Sequence, residues 1–238
     1  NLKNARELFD SYLQQVFSKL GGDCKVKLLS DKTMLEMIDG DRGKNYPKKS
    51  DFMDVGYCLF LSTKNVRPDG FLFEDVQFIN EDRDRLLRKG KLSRNDVILT
   101  TRGTIGNLAI YDELVKYENI RINSGMLILR PNLNIIHPAY LFEIFRSGII
   151  KQQIQEKVSG AAQPQLPINS LNTFSIPVPD DIDTQKQVVD KIRTMENVFL
   201  ELSNKYEMKI LALVELKKSI LQKAFSGELT KDDTGAAA

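Results

Sequence analysis

The chain has 238 residues, of which 42% are hydrophobic and 28% are charged, and its formal net charge is +2. A chain of this length and apolar content can bury a substantial core, which excludes a disordered protein. The longest apolar runs are only a few residues, so we expect no membrane-spanning segment and a soluble, cytoplasmic protein.

The first predicted element is an amphipathic helix over residues 2–20. Gly21 and Gly22 predict its end, because paired glycines terminate helices. Its apolar side chains recur at spacings of three and four, at Leu2, Ala5, Phe9, Tyr12, Val16 and Leu20.

Between residues 22 and 178 the pattern changes to short strands followed by two helices. β-branched and aromatic residues bounded by turn residues predict strands over 24–29, 57–63, 71–79, 96–101, 107–111 and 126–130. Residues 137–147 and 148–158 are typical of helices that pack on a sheet. Their predicted inward side chains are Leu141, Phe142, Phe145, Ile149, Ile150 and Ile154. We predict a mixed, curved sheet in one globular α+β domain.

A long helix is predicted over about residues 184–226. Asp183 or Thr184 is predicted to cap its start, and Gly227 to end it. Alternating spacings of four and three, interrupted at Lys209, are typical of a coiled coil. The predicted helix interface consists of Phe9, Tyr12 and Val16 from the first helix and Ile192, Met195, Phe199, Leu202, Tyr206, Leu213, Leu216 and Ile220 from the long one.

The two predicted helices carry a repeated sequence. ELFDSYLQQVFS at residues 7–18 returns as ELKKSILQKAFS at residues 215–226, in one constant frame. Helix propensity alone does not supply the matched Ser, Gln and Phe residues. The repeat predicts that the chain opens on the end of one structural unit and closes on the end of the next.

Most groups that a catalytic site needs are absent from the sequence. His137 is the single histidine, which excludes a histidine-based triad or a multi-histidine metal site within the chain. The sequence contains no GxxxxGK[ST] loop, and RGTIG at 102–106 does not fit the dinucleotide fingerprint. Cys24 and Cys58 are predicted to be reduced packing residues. We therefore predict a chain without catalytic activity, metal or cofactor.

Positive charge is concentrated in two central runs. RGKNYPKK at 42–49 and RDRLLRKGKLSR at 83–94 are the local clusters that phosphate binding requires, although a solvated face is the alternative interpretation. Loops at predicted strand ends add Arg, Lys, Asn and Gln, which can hydrogen-bond to base edges. The candidate DNA-binding residues are Arg42, Lys44, Asn45, Tyr46, Lys48, Lys49, Lys64, Asn65, Arg88, Lys89, Lys91, Arg102, Thr104, Gln163 and Gln165. Alternatively, Tyr46 packs its turn, and both glutamines hydrogen-bond the domain to its helix.

Five segments resemble the specificity subunits of type I restriction-modification systems. DVILTTRGTIGNLAIY (96–111) is similar to that family's strand-turn-strand signature, and SGAAQPQLPINSLNTFSIPVP (159–179) to the exit from its target recognition domain. TQKQVVDKIRTM (184–195) resembles the start of its conserved helix, and ELKKSILQKAFSGEL (215–229) the end. The copy at 7–18 resembles the same end from a preceding repeat.

This resemblance implies four regions. They are the end of a preceding helix at 1–21, a DNA-binding target recognition domain at 22–178, a spacer helix at 179–230 and a disordered tail at 231–238. In that family two such domains read the halves of a split double-stranded DNA site, and their helices pair antiparallel. Modification subunits and restriction subunits dock on the helices and supply methylation and ATP-dependent cleavage. The chain itself is then a non-catalytic recognition subunit.

The chain departs from the family in having one recognition domain. It is predicted to be the C-terminal half of a subunit, a natural half-length subunit or an engineered segment, and its non-Met start and TGAAA end favour a trimmed segment. A one-domain chain with a self-complementary helix predicts homodimerisation, because a twofold pair restores two domains and two helices. The alternatives are a coiled-coil assembly module whose α+β domain binds protein, and a self-sufficient nuclease or methyltransferase.

Overall fold

The computed structural model of the chain describes residues 2–20, 24–158 and 165–226. Among these described residues, those within 10–192 form one compact unit, and those within 2–9 and 193–226 form a second. The predicted α+β class, with a short N-terminal and a long C-terminal helix, is confirmed.

The elements alternate irregularly along the chain. The strands are β1 (Cys24–Leu28), β2 (Leu35–Asp39), β3 (Cys58–Leu61), β4 (Val66–Arg67), β5 (Gly70–Phe71), β6 (Phe78–Ile79), β7 (Val97–Thr100), β8 (Leu108–Ile110), β9 (Ile120–Ile122), β10 (Met126–Pro131) and β11 (Ser175–Pro179). The helices are α1 (Leu2–Lys19), α2 (Glu81–Leu86), α3 (Pro138–Arg146), α4 (Gly148–Val158), α5 (Ile168–Leu171) and α6 (Ile182–Phe225).

Two sheets enclose the main core of the unit formed by residues 10–192. The first is antiparallel, in the order β2-β10-β7-β8, and the second has the order β6-β3-β9, with β3 parallel to β9. Strands β3, β7 and β9 are buried along their whole length, as expected for strands covered on both faces. The core between the sheets includes Leu59, Leu61, Ile98, Ile122 and Ile128.

An antiparallel ribbon joins the beginning and the end of the predicted recognition domain. Strand β1 pairs with β11, with Cys24 opposite Pro179 and Leu28 opposite Ser175. Pro177 and Pro179 lie within β11, and a two-stranded ribbon tolerates them because each of its strands has an unpaired edge. The first and the last strand of the predicted domain therefore lie side by side, so the chain enters and leaves the domain at the same place.

The second half of α1 packs on the same unit. The Phe17 ring meets the Tyr140 ring of α3 edge to face, with 5.7 Å between centroids. Leu13 and Phe17 are 1% and 2% exposed, whereas the predicted interface residues Tyr12 and Val16 are half-buried. The register of the buried stripe thus differs from the predicted one. The missed signal was the repeat, which includes both Leu13 and Phe17.

The start of α6 is fixed by two polar side chains. Asp181 accepts hydrogen bonds from the backbone amides of Asp183 and Thr184, at 3.2 and 2.9 Å. Asp181 is therefore the cap, and the predicted caps Asp183 and Thr184 are wrong, because the helix begins at Ile182. The fully buried Gln185 binds the carbonyls of Ile135 and Pro179, each at 2.9 Å.

The second unit contains an edge-to-face contact between Phe9 of α1 and Phe199 of α6, at 5.7 Å. Among its other predicted interface residues, Met195 and Leu202 are partly buried, and Tyr206, Leu213, Leu216 and Ile220 are exposed. Ile192, by contrast, is buried within the unit of residues 10–192.

None of the described helices is long and apolar enough to cross a membrane. The predicted helix end, Gly227, lies outside the described residues.

One predicted strand is wrong. Residues 71–79 form only the two short strands β5 and β6, and the backbone between them follows an irregular path. The reason is Asn65, whose side-chain amide donates to the carbonyls of Leu72 and Asp75, at 3.1 and 2.7 Å. These carbonyls bind a side chain and not a neighbouring strand.

Candidate nucleic-acid interface

Strand ends place several polar loops at one end of the sheets. Leu127 lies opposite both Asp39 and Leu99, so β2 and β7 end where β10 begins. The parallel strands β3 and β9 likewise end side by side, with Leu61 opposite Ile122. We call this region the loop end, and it comprises the loops of residues 40–46, 62–65, 87–91, 101–107 and 123–125.

Glycines allow three of these loops to touch through their backbones. A Cβ atom at Gly40 would lie 2.1 Å from the carbonyl oxygen of Asn123, so another residue there would force the loops apart. Gly90 has a φ of +82°, and a Cβ atom on it would lie 3.1 Å from the Cα of Gly40. Backbone contact makes the relative positions of these loops well defined.

Asp41 joins the two basic runs. Its carboxylate accepts hydrogen bonds from the backbone amides of Gly43 and Arg88, at 2.7 and 2.8 Å. Burial alone would raise the pKa of Asp41, but amide hydrogen bonds from Gly43, Arg88 and Lys89 hold this pKa below its ordinary value. The carboxylate is therefore charged and fixes both loops. Exposed cationic side chains surround it, namely Arg42, Lys44, Arg88 and Lys89.

A buried cluster of charged side chains, formed by Asp84, Arg121 and Lys91, fixes the backbone of the second basic run (residues 83–94). Asp84 accepts from the Nε of Arg121 and from the ammonium of Lys91, at 2.5 and 2.7 Å. Arg121 also donates to the backbone carbonyls of Asp84, Leu87 and Lys89. Burial alone would raise the pKa of Asp84, but hydrogen bonds from Lys91 and Arg121 lower it. Lys91, one of the predicted DNA-binding residues, therefore pairs with an internal carboxylate in this structure.

Asn65, another predicted DNA-binding residue, is buried and hydrogen-bonded within the protein. It is 4% exposed, and its amide oxygen accepts from the backbone and the hydroxyl of Ser62, at 2.9 and 3.0 Å. Because its two amide hydrogens bind Leu72 and Asp75, no group remains for a base. Its neighbour Lys64 is exposed on the loop of residues 62–65.

The remaining predicted residues of the first basic run have mixed surroundings. Tyr46 is half-buried, and its ring packs edge to face on Phe60 at 5.7 Å, as the packing alternative predicts. Asn45 donates to the carbonyl of Leu86 at 3.2 Å. The exposed Lys48 and Lys49 lie at a short 3-10 turn where Asp51 accepts from the Lys48 backbone amide.

The hairpin between β7 and β8 contributes Arg102 and Thr104. Arg102 forms a backbone bridge with Gln165, and the Leu166 amide donates to the Thr101 carbonyl at 2.9 Å. Thr104 is exposed, while its carbonyl accepts from the Thr100 hydroxyl. Gln163 lies outside the described residues. Arg102 and Gln165 line a narrow cleft together with Asp39 and Arg42.

The chemistry of this region is that of hydrogen bonding and charge. Within the described ranges, no three His, Cys, Asp or Glu side chains are grouped so that they could hold a metal ion. Burial and the nearby Asp84 raise the pKa of Cys58 to about 12, so its thiol stays protonated at neutral pH. What the loop end offers is a set of guanidinium, ammonium, hydroxyl and amide groups, which suits phosphates and base edges.

Comparisons with known proteins agree with this architecture. The family described as the type I restriction modification DNA specificity domain matches residues 32–212. The specificity subunit of the type I restriction enzyme EcoBI from Escherichia coli is 25% identical over 152 residues, which are 64% of this chain and 31% of that subunit.

Solved structures share the fold. A chain from a study of the assembly and conformational transition of the type I restriction-modification system has a TM-score of 0.72 and 16% identity, over 94% of this chain and 52% of that chain. The HsdS subunit from Thermoanaerobacter tengcongensis has a TM-score of 0.65 and 18% identity, over 95% and 52%. The chain thus spans about half or less of the length of these relatives. Because the family match covers more than half of the chain, this protein belongs to the family of type I restriction-modification DNA specificity domains.

Proposed function

We propose that residues 22–178 form a target recognition domain that reads one half of a split double-stranded DNA site. The observation that carries this proposal is the joining of the two basic runs by Asp41, which gathers their exposed cations at the loop end. The chain is then the non-catalytic recognition part of a cytoplasmic type I restriction-modification enzyme, whose partner subunits methylate and cleave DNA.

Phosphate and base contacts are assigned to different loops. Exposed Arg42, Lys44, Arg88 and Lys89 stand on loops without a strand partner and suit phosphates, which need charge more than exact geometry. Arg102 and Thr104 lie in the loop between β7 and β8, which is held in place by the backbone bridge from Arg102 to Gln165 and by hydrogen bonds from the amides of residues 101 and 102 to the Gly125 carbonyl. Rigid support favours base readout, because bidentate contacts require a fixed orientation. Lys48, Lys49 and Lys64 complete the proposed phosphate contacts.

The long helix α6 is proposed to bind a second helix and the modification and restriction subunits. Its 44 residues extend about 66 Å, and its side chains from residue 204 onwards are exposed in the single chain. Leu213 and Leu216 are 64% and 55% exposed, which is unusual for apolar residues in a heptad pattern. We infer that this stripe pairs with a second spacer helix, from another copy or from a second repeat, and that modification and restriction subunits dock on the pair. Within the predicted regions 179–230 and 1–21, we propose α6 (Ile182–Phe225) as the spacer helix and α1 (Leu2–Lys19) as the end of a preceding one.

The terminal repeat supports docking of the end of α6 on a surface like the one that the end of α1 occupies. Leu13 and Phe17 are buried on the unit of residues 10–192, whereas their counterparts Leu221 and Phe225 are exposed. Equal sequences are expected to use equal surfaces. The end of α6 is therefore proposed to dock on a second recognition domain, which this chain does not contain.

Binding to duplex DNA of random sequence tests the function first. Fluorescence anisotropy between 50 and 300 mM salt should give an affinity that falls steeply, because each neutralised phosphate releases counterions. A protein-binding module would show weak binding without that slope. Incubation with DNA, magnesium and S-adenosylmethionine should yield neither cleavage nor methylation, and turnover by the purified chain would overturn the non-catalytic assignment.

A further inference from the structure

A carboxylate lies in the proposed base-reading cleft, among groups of the opposite charge. The cleft has a volume of about 100 Å³ and is lined by Asp39, Arg42, Thr101, Arg102, Gln165 and residues 166–168. Small-molecule sites are commonly about 300–1,000 Å³. This cleft is therefore too small to enclose a ligand, and it suits the edge of a base pair.

The backbone of Asp39 is well fixed. It is the last residue of β2 and pairs in register with Leu127 of the central strand β10. Gly40 follows directly and is pressed against Asn123, which prevents the strand end from shifting. An acceptor at this position has the rigid support that base readout requires.

The Asp39 carboxylate retains acceptor capacity. The Nη2 of Arg42 lies 3.4 Å from its Oδ1, which is a long contact, and the same Nη2 also donates to the Ser124 carbonyl at 3.3 Å. An ionised carboxylate offers about four acceptor sites. The Asp39 side chain is one-third exposed, so these sites face solvent in the free protein.

Donors stand beside this acceptor in the same cleft. Arg102 and Gln165 are held together by their backbone bridge, and Leu166 extends the contact to Thr101. Arginine commonly donates to the O6 and N7 of guanine, and a carboxylate accepts from the N4 amine of cytosine, so a cleft that combines Arg102 with Asp39 matches a G·C pair in the major groove. Phosphate binding would not need the carboxylate, which repels phosphate.

We propose that Asp39 is a specificity-determining residue that accepts a hydrogen bond from the N4 amine of a cytosine, while Arg102 donates to a guanine in the same or the adjacent base pair. This inference rests on the proposed DNA-reading function. The basic runs of the sequence could not have indicated Asp39, because this residue carries the opposite charge.

The test uses the full chain, Asp39→Asn and the control Glu113→Gln, which removes an exposed acid from the loop after β8, at the opposite end of the sheet. A half-site is first selected from random duplexes with the wild-type chain. Each cytosine of that half-site is then replaced in turn by N4-methylcytosine, whose methyl group occupies the major groove, or by 5-methylcytosine.

At one cytosine, N4-methylation should weaken wild-type binding about 5- to 150-fold, the discrimination expected of a good base contact, and 5-methylation should have less effect. Asp39→Asn should lose this sensitivity and bind random duplex several-fold more tightly, because a charge that repels phosphate is gone. Glu113→Gln should retain the wild-type sensitivity.

Other outcomes overturn the proposal. If N4-methylation has no effect on the wild type at any position, the carboxylate merely orients Arg42. If Asp39→Asn keeps the sensitivity, another group reads the cytosine. A wild-type chain that selects no sequence contradicts the recognition function itself, so the two failures are distinguishable. Matching thermal unfolding of both variants and the wild type confirms that they fold.

Discussion

The Asp41 carboxylate accepts a 2.8 Å hydrogen bond from the backbone amide of Arg88, 47 residues further along the chain. This contact joins two basic runs that are separate in sequence. Their cations therefore form one surface, with a fixed geometry that neither run has alone.

Asp41→Ala should weaken binding to random duplex DNA, although the change removes a negative charge. The physical reason is that the amides of Gly43 and Arg88 lose their buried acceptor, which costs about 1–3 kcal/mol and releases both loops. Anisotropy at constant salt measures the affinity, and urea unfolding measures the stability. Tighter binding by this variant would show that charge matters here and loop geometry does not.

Asp84→Asn should lower the free energy of unfolding by about 3 kcal/mol, because it leaves Arg121 buried without its counter-charge. Asp82→Asn, an exposed position on the same short helix, is the matched control and should change stability far less. Urea titrations of both variants provide the comparison. Equal effects at the two positions would contradict the structural role of the cluster.

Acid should destabilise the protein through Asp41 and Asp84. Both have a pKa lowered in the folded state, so the folded protein binds fewer protons than the unfolded chain. Their stabilisation is fully present above the unfolded pKa of about 3.9 and is lost as pH falls through the lower folded pKa. Unfolding free energies measured from pH 7 to pH 3 should decline below about pH 5. The decline should be shallower in Asp84→Asn, and an identical slope would exclude Asp84 as its source.

Replacing Arg88 and Lys89 together by Ala should weaken binding to all DNA sequences equally. The slope of log affinity against log salt should flatten by about 2, because each phosphate contact contributes about 0.9. Lys91→Ala is an informative comparison, since its charge neutralises Asp84: it should lower stability and leave the salt slope nearly unchanged. A loss confined to one DNA sequence would refute phosphate contacts by Arg88 and Lys89.

Arg102→Ala should reduce the preference for one base pair by about 1–3 kcal/mol, because the Arg102 guanidinium is proposed to donate hydrogen bonds to a guanine. Lys116→Ala, which removes an exposed cation from the loop after β8, should leave the preference intact. Competition binding with single-base variants of the selected site measures both. Unchanged preference in Arg102→Ala would remove this residue from the base-reading set.

The double variant Leu213→Ser and Leu216→Ser should abolish self-association, because it removes two exposed apolar side chains of the helix stripe. Lys217→Ser with Lys218→Ser serves as the control for altered polarity on the same turn. Light scattering at micromolar concentration should report a dimer for the wild type and the control, and a monomer for the leucine variant. A monomeric wild type would contradict homodimerisation.

Sequence patterns predicted the long helices and five of the strands, but they missed β2, β9 and β11, and they predicted the polar contacts poorly. The β7–β8 hairpin and α6 follow from periodicity that is local in the sequence. Strand β9 was missed because it has three residues, with Arg121 at its centre, and only the distant Asp84 makes that arginine a core residue.

The candidate site shows the same division. Charge density predicted the exposed cations of the loop end, but it could not separate Lys91, which serves an internal carboxylate, from Arg88 and Lys89. Asp39 and Asp41 were overlooked because a search for positive charge excludes acids. Asp41 depends on the amide of Arg88, 47 residues away, and Asp39 lies in a cleft with the distant residues Arg102 and Gln165. Composition does not reveal such groupings.

Selection of bound duplexes from a random-sequence library, with the wild type and Arg102→Ala compared in parallel, tests the central claim most directly. A target recognition domain should enrich one defined half-site, repeated with a spacer if the chain dimerises, and Arg102→Ala should lose the preference at one base pair within it. Recovery of unenriched sequences by the wild type, at salt concentrations where DNA is still bound, would contradict sequence recognition by the loop end.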